Sequence, residues 1–127
     1  MKKVLVVDDD QDSRNLLREV LEANGYSVET AADGVAAREA LNRDGDYRII
    51  IADLRMPKES GLDLLRNLRH QKAKHGVILM SSFISGKERK SAKELGAYAL
   101  LDKPLRLSEL LQTVDELAAT NPVRTPS

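Results

Sequence analysis

Acidic residues gather at two places where short aliphatic runs stop. Asp8-Asp9-Asp10 follows Val4-Leu5-Val6-Val7, and Asp53 follows Ile49-Ile50-Ile51-Ala52. Ser81 and Ser82 follow Val77-Ile78-Leu79-Met80, and Lys103-Pro104 comes just after Ala99-Leu100-Leu101. Carboxylates brought together repel one another unless a positive charge neutralises them. Ligands made only of oxygen favour a hard cation that keeps several waters, the habit of Mg²⁺. A lysine adds a fixed positive charge, and a serine hydroxyl donates a hydrogen bond to an oxyanion. A carboxylate is also an established nucleophile for making aspartyl phosphate. Phosphoryl transfer asks mainly for positioning and charge neutralisation, which such a set supplies.

Each residue also has an ordinary duty. An acidic triplet can complement a helix dipole, an aspartate or serine after a strand can be a turn or cap, and a lone lysine is usually solvated. The chemical reading needs these groups on one rim, and that depends on the elements that carry them.

Unbroken apolar runs rich in Val and Ile predict strands covered on both faces. Val28 and Thr30, set among Ser27, Glu29 and Ala31, alternate in the manner of an edge strand. Helical spacing fills the gaps. Leu17, Val20, Leu21 and Asn24 line one face after an N-cap at Asp12, and Gly25 supplies the stop. Val35, Ala36, Ala40 and Leu41 repeat the pattern, as do Leu62, Leu65 and Leu68 after Gly61. A more polar helix covers Gly86–Leu95 and ends at Gly96, and a last one opens near Ser108 with Leu107, Leu110, Leu111, Val114 and Leu117. Strand and helix alternate five times, which calls for an α/β fold with a parallel sheet and helices on both faces. Right-handed crossovers leave few topologies, the doubly wound order 2-1-3-4-5 among them. In that order strands 1, 3, 4 and 5 are neighbours, and ligand sites form at their carboxyl ends.

The 127 residues fit one domain with a real core. Apolar residues at 42% and charged residues at 31% describe an ordinary globular protein. Twenty basic and twenty acidic residues cancel, so no charge excess announces a nucleic acid or an acidic membrane. The absence of cysteine excludes disulfides, thiolate metal sites and cysteine nucleophiles. Lys2-Lys3 before Val4–Val7 is too short for a secretion signal, and no run approaches the roughly 20 apolar residues of a membrane span. A cytoplasmic protein is expected. One domain is expected over residues 1–119, with residues 120–127, which hold Pro122 and Pro126, forming a disordered tail or the start of a linker. His70 and His75 are expected to face solvent. Lys87, Arg89, Lys90 and Lys93 form either a wet helix face or a contact for an acidic partner surface.

Val6-Val7-Asp8-Asp9-Asp10, Asp53-Leu54-Arg55-Met56-Pro57, Ser81-Ser82 and Asp102-Lys103-Pro104 together resemble the four signatures of response-regulator receiver domains of two-component signalling systems. Gly61 and Gly96-Ala97 match in type and order, and the resemblance runs over roughly residues 3–119. It implies a flavodoxin-like (βα)5 fold with strand order 2-1-3-4-5. It implies that Asp53 is the phosphoacceptor for a sensor histidine kinase or phosphotransfer protein. Asp8 and Asp9 would hold Mg²⁺, Asp9 more directly and Asp8 partly through water, with Asp53 and the Arg55 backbone carbonyl completing the protein ligands. Ser81 would bond the phosphoryl oxygen and Lys103 would pair with it. The Lys103–Pro104 bond is similar to one that is cis in the family.

The same resemblance implies a regulatory domain rather than an enzyme, one that assists its own phosphorylation and dephosphorylation. Its output would be a change in the face formed by the fourth helix, fifth strand and fifth helix. An effector or output domain would read that face, a phosphorylation-dependent homodimer being one form, with no nucleic acid or membrane bound by the domain itself. Three positions depart from the commonest pattern: Leu100 stands where an aromatic is usual, Ser81 where threonine is usual, and Arg55 puts a long cation near the mouth. Leu100 puts the usual aromatic switch in doubt. A phosphohydrolase of the haloacid-dehalogenase type is disfavoured, because Arg55 sits where its second acid would be and the nucleophile follows the third strand. A degenerate receiver would be expected to lack one of Asp8/Asp9, Asp53 or Lys103, and all are present.

Overall fold

Aliphatic runs buried on both faces become the strands of a parallel sheet. The computed structural model describes residues 3–44, 46–71 and 75–120, and within them β1 (Lys3–Val7), β2 (Ser27–Ala31), β3 (Ile49–Asp53), β4 (Gly76–Ser81) and β5 (Ala99–Asp102) pair in parallel. The order is β2-β1-β3-β4-β5, as expected, with β2 at an edge. Helices α1 (Gln11–Ala23), α2 (Gly34–Arg43), α3 (Gly61–His70), α4 (Gly86–Glu94) and α5 (Leu107–Thr120) alternate with the strands.

Side chains alternate across each strand, so each run feeds two cores. Leu5, Val7, Ile50, Ala52, Val77 and Leu79 meet Ala37, Ala40, Leu64, Leu65, Leu68 and Ala92 of α2, α3 and α4 on one face. Val4, Val6, Ile49, Ile51, Ile78 and Met80 meet Leu17, Leu21, Leu110, Val114 and Leu117 of α1 and α5 on the other. Each large aliphatic side chain buried this way contributes about 1.5–3 kcal/mol over an exposed one. The two layers fix the sheet, and the sheet fixes its carboxyl rim.

Several local expectations change. The N-cap of α1 is Asp10, whose side chain accepts from the Ser13 N–H, and Asp12 lies inside the first turn. Asp10 therefore takes the ordinary capping duty that the acidic triplet suggested. Asn24 is the exposed C-cap of α1 rather than part of its apolar face. Gly25 follows with φ 92°, a left-handed value that ends the helix without a Cβ clash. Val35 is exposed, because α2 turns the small residues Gly34, Ala37 and Ala40 inward. His70 is exposed as expected, but His75 is half-buried with its Nδ1 against the Tyr47 carbonyl. Thr120 closes α5, and the rest of the expected tail, residues 121–127, lies outside the described residues. No helix among the described residues is long and apolar enough to cross a membrane.

Candidate functional site

The carboxyl ends of β1, β3, β4 and β5 bring the expected residues to one rim. Asp8 and Asp9 follow β1, Asp53 and Ser81 are the last residues of β3 and β4, and Lys103 follows β5. Carboxylate oxygens of Asp8, Asp9 and Asp53 all lie within 4.8 Å of one another. Asp8 is 0% exposed and Asp53 6%, while Asp9 opens to solvent.

The backbone fixes these groups. Asp8 Oδ1 accepts the Asp10 N–H at 3.0 Å, and the Asp8 carbonyl accepts from Arg14 Nη1 at 2.7 Å. Asp53 Oδ1 accepts the Arg55 N–H at 2.9 Å. Gly61, at the start of α3, lets the chain return against β3, since a Cβ there would lie 2.6 Å from the Asp53 carbonyl oxygen. Lys103 crosses from β5 to place Nζ 2.5 Å from Asp53 Oδ2 and 3.3 Å from Asp8 Oδ2. Its own N–H donates to the Ser81 carbonyl at 2.8 Å, and the Lys103–Pro104 peptide is cis as the resemblance implied.

Burial pushes the Asp8 carboxyl above its ordinary value, and the nearby Asp53 charge adds to the rise. The Asp10 amide and Lys103 pull the other way without cancelling it. Burial also works against the Lys103 ammonium, but the Asp53 hydrogen bond and the Asp53 and Asp8 charges raise it above its ordinary value. The site thus holds an excess of negative charge that one lysine only partly neutralises. Its donors are all oxygen, and Asp9 presents the open side. This donor set fits a hard divalent cation such as Mg²⁺.

Ser81 is on the rim but turned away. Its hydroxyl donates to the Phe83 carbonyl at 2.9 Å and accepts the Phe83 N–H at 3.3 Å, and it makes no hydrogen bond to Asp53 or Lys103. Arg55 has a partner not foreseen. Its guanidinium forks onto Glu88, with Nη1 and Nη2 each 2.7 Å from a carboxylate oxygen, and reaches the Phe83 carbonyl at 3.4 Å. Glu88 also closes the capping box of α4 with Ser85, whose amide is first among the groups holding its carboxyl below the ordinary value. Ser85-Gly86-Lys87-Glu88 is a visible capping pattern, but nothing in the sequence ties Glu88 to Arg55. Arg14, on the carbonyl of Asp8, left no signal either.

Lys87, Arg89, Lys90 and Lys93 are all exposed, with Arg89 3.6 Å from Asp102. A groove of about 450 Å³ runs beside them, lined by Arg89, Lys90, Lys93, Tyr98 and Leu100 among others.

Comparison with known proteins agrees with this geometry. The response regulator receiver domain family model matches residues 4–115. Response regulator MprA of Mycobacterium leprae is 38% identical over 115 residues, covering 91% of this chain and 50% of that protein. Transcriptional regulatory protein CpxR of Escherichia coli is 38% identical over 114 residues, covering 90% of this chain and 48% of that one. The chain thus spans about half the length of these curated relatives. Among solved structures, chemotaxis protein CheY4 of Vibrio cholerae superimposes with a TM-score of 0.85 at 31% identity, covering 92% of this chain and 98% of that one. Response regulator TrrA of Thermotoga maritima, solved with Mg²⁺ and BeF, gives 0.81 at 32% identity over 92% of this chain and 99% of its own.

Proposed function

The chain belongs to the response regulator receiver domain family, and from that premise we propose that Asp53 accepts a phosphoryl group in a Mg²⁺-dependent reaction. The donor is a sensor histidine kinase or a phosphotransfer protein. The observation that carries this reading is the clustering of Asp8, Asp9 and Asp53 within 4.8 Å, with Lys103 Nζ 2.5 Å from Asp53.

Asp8, Asp9, the Asp53 carboxylate and the Arg55 carbonyl would hold the cation. Bound there, Mg²⁺ would neutralise the carboxylates and the charge developing on the phosphoryl oxygens. An Asp53 carboxylate oxygen attacks phosphorus as the bond to the donor's imidazole nitrogen breaks, and the electron pair leaves with that ring. Lys103 then turns from the two carboxylates toward the new phosphoryl oxygens. The Ser81 hydroxyl exchanges the Phe83 carbonyl for a phosphoryl oxygen, which frees the β4–α4 loop from that bond. The domain is a regulatory phosphoacceptor that assists its own phosphorylation and dephosphorylation, working in the cytoplasm. An effector, an output domain or a second copy reads the α4–β5–α5 face, and no nucleic acid is bound directly.

Acetyl phosphate with Mg²⁺ should add one phosphoryl group, read by intact-mass spectrometry and mapped to Asp53. An unmodified chain, under conditions that label a proven receiver, would defeat the reading.

The switch leaves the site through the loop rather than through an aromatic on β5. Leu100 has no polar tip to end a ring rotation on a hydrogen bond, and Tyr98 is already exposed in the groove. Structures with and without beryllofluoride on Asp53 should show Ser81, Phe83 and residues 82–85 shifting, with Tyr98 and Leu100 keeping their rotamers. A large rotamer change at Tyr98 or Leu100 with the loop still would refute this route.

A further inference from the structure

The loop between β3 and α3, residues 54–60, carries the Arg55 carbonyl and ends at Ser60, the N-cap of α3. It bends sharply: Lys58 has φ 71°, a left-handed value uncommon for a residue with a Cβ, and the Glu59 N–H donates to the Pro57 carbonyl at 2.8 Å. Two side chains tether it to α2. Lys58 Nζ lies 3.7 Å from Asp33 Oδ2, with Lys58 largely exposed, and such surface pairs hold weakly. Glu59 is different.

Glu59 is 7% exposed. Its Oε1 accepts from Asn67 Nδ2 of α3 at 2.5 Å, and its Oε2 lies 3.1 Å from Arg38 Nε of α2. That Oε2 has no well-aligned donor among the described residues and depends on the Arg38 charge. Gly34 makes room for it, since a Cβ there would lie 2.5 Å from Oε2 and 2.7 Å from the Glu59 Cβ. The side chain therefore fills the seam where the loop, α2 and α3 meet. A buried carboxylate is costly to keep unless it is paired, and an apolar side chain would fill such a seam without that cost.

What the loop must hold is one peptide plane. The Arg55 N–H is fixed on Asp53 Oδ1, but the Arg55 carbonyl belongs to the next peptide, whose orientation is set by the chain beyond it. Pro57 stiffens that chain by fixing its own φ. Met56, next to that carbonyl, is only partly buried against the core, Pro57 and Lys58 are exposed, and the first buried side chain downstream is Glu59.

We propose that Glu59 is a positioning residue for the cation site. Pinned by Arg38 and Asn67, it holds the β3–α3 loop so that the Arg55 carbonyl faces the carboxylates of Asp8, Asp9 and Asp53. This rests on the phosphoacceptor reading and adds to it a support outside the cluster, reaching α2.

The test is Mg²⁺ binding by the full chain, followed by calorimetric titration, with urea unfolding measured in parallel. Loss of a supporting partner of a metal ligand typically weakens metal affinity about 10–100-fold; Glu59→Ala should fall at the lower end, about tenfold. Its labelling rate at saturating Mg²⁺ should stay within about twofold of wild type, so that the effect lies in half-saturation. Glu59→Gln keeps the Asn67 bond and should be intermediate. Arg38→Met, on another helix, should weaken binding in the same direction, and the double variant Glu59→Gln/Arg38→Met should lose no more than the worse single one. If Glu59→Ala does not fold, the Gln and Arg38 variants decide. Unchanged Mg²⁺ affinity in folded variants of reduced stability would overturn the positioning role alone. A wild-type chain that takes up no Mg²⁺ would overturn the underlying reading with it.

Discussion

Asp53→Asn should leave the chain with no detectable phosphoryl adduct under conditions that label the wild type fully. The amide oxygen is no nucleophile toward phosphorus, and no other carboxylate stands in the same place. Asp8 is buried and accepts the Asp10 amide, and Asp9 opens to solvent. Asparagine keeps the size of Asp53 and an oxygen to accept the Arg55 N–H, so the loop after β3 has no reason to move. Lys103 loses one partner but retains Asp8 Oδ2 at 3.3 Å. Loss of the ion pair and relief of the Asp8–Asp53 repulsion oppose each other, so stability should remain within about 2 kcal/mol of wild type. Intact-mass spectrometry and urea unfolding on the same sample separate chemistry from folding. An adduct of equal yield on the variant would move the acceptor to another residue.

The sheet was legible because a parallel strand between two helix layers has no solvent face. Val4–Val7 and Ile49–Ala52 are unbroken for that reason, their alternate residues dividing between two cores. The rim followed from topology, since Asp8, Asp9, Asp53, Ser81 and Lys103 each sit at or just beyond the end of a strand run. What escaped depends on contacts across the fold. The choice of Asp10 over Asp12 as cap is decided by where Asp8 turns into the site, with its Oδ1 on the Asp10 N–H. Val35 fits a helical apolar face by spacing, yet the face of α2 is set by Gly34 against Glu59. Charged pairs such as Arg38–Glu59 and Arg55–Glu88 obey no period, and α2, the β3–α3 loop and α4 meet only in the folded chain. The direction of the Ser81 hydroxyl is a rotamer, invisible to residue type.

Asp9→Ala should separate the cation from the fold more cleanly than any other change at the rim. Asp9 is the exposed member of the carboxylate cluster, and no hydrogen bond or ion pair holds it among the described residues. Removing it takes away repulsion and nothing structural, so without Mg²⁺ the variant should melt at or above the wild-type temperature. With Mg²⁺ the order should reverse. A ligand that binds only the folded state at ten times its Kd adds about 1.4 kcal/mol of stability. The wild type gains this, while the variant, short of a direct ligand, gains little. Labelling by acetyl phosphate should fall with the lost affinity, since a site about 10–100-fold weaker is occupied roughly 5–50 times less at Mg²⁺ levels near the wild-type Kd. Melting curves at several Mg²⁺ concentrations, with calorimetric titration, provide the check. Asp8→Ala is no substitute, because it empties a fully buried position and strips Lys103 and the Asp10 amide of a partner. Equal Mg²⁺ stabilisation of wild type and Asp9→Ala would remove Asp9 from the ligand set and leave the cation to Asp8, Asp53 and the Arg55 carbonyl.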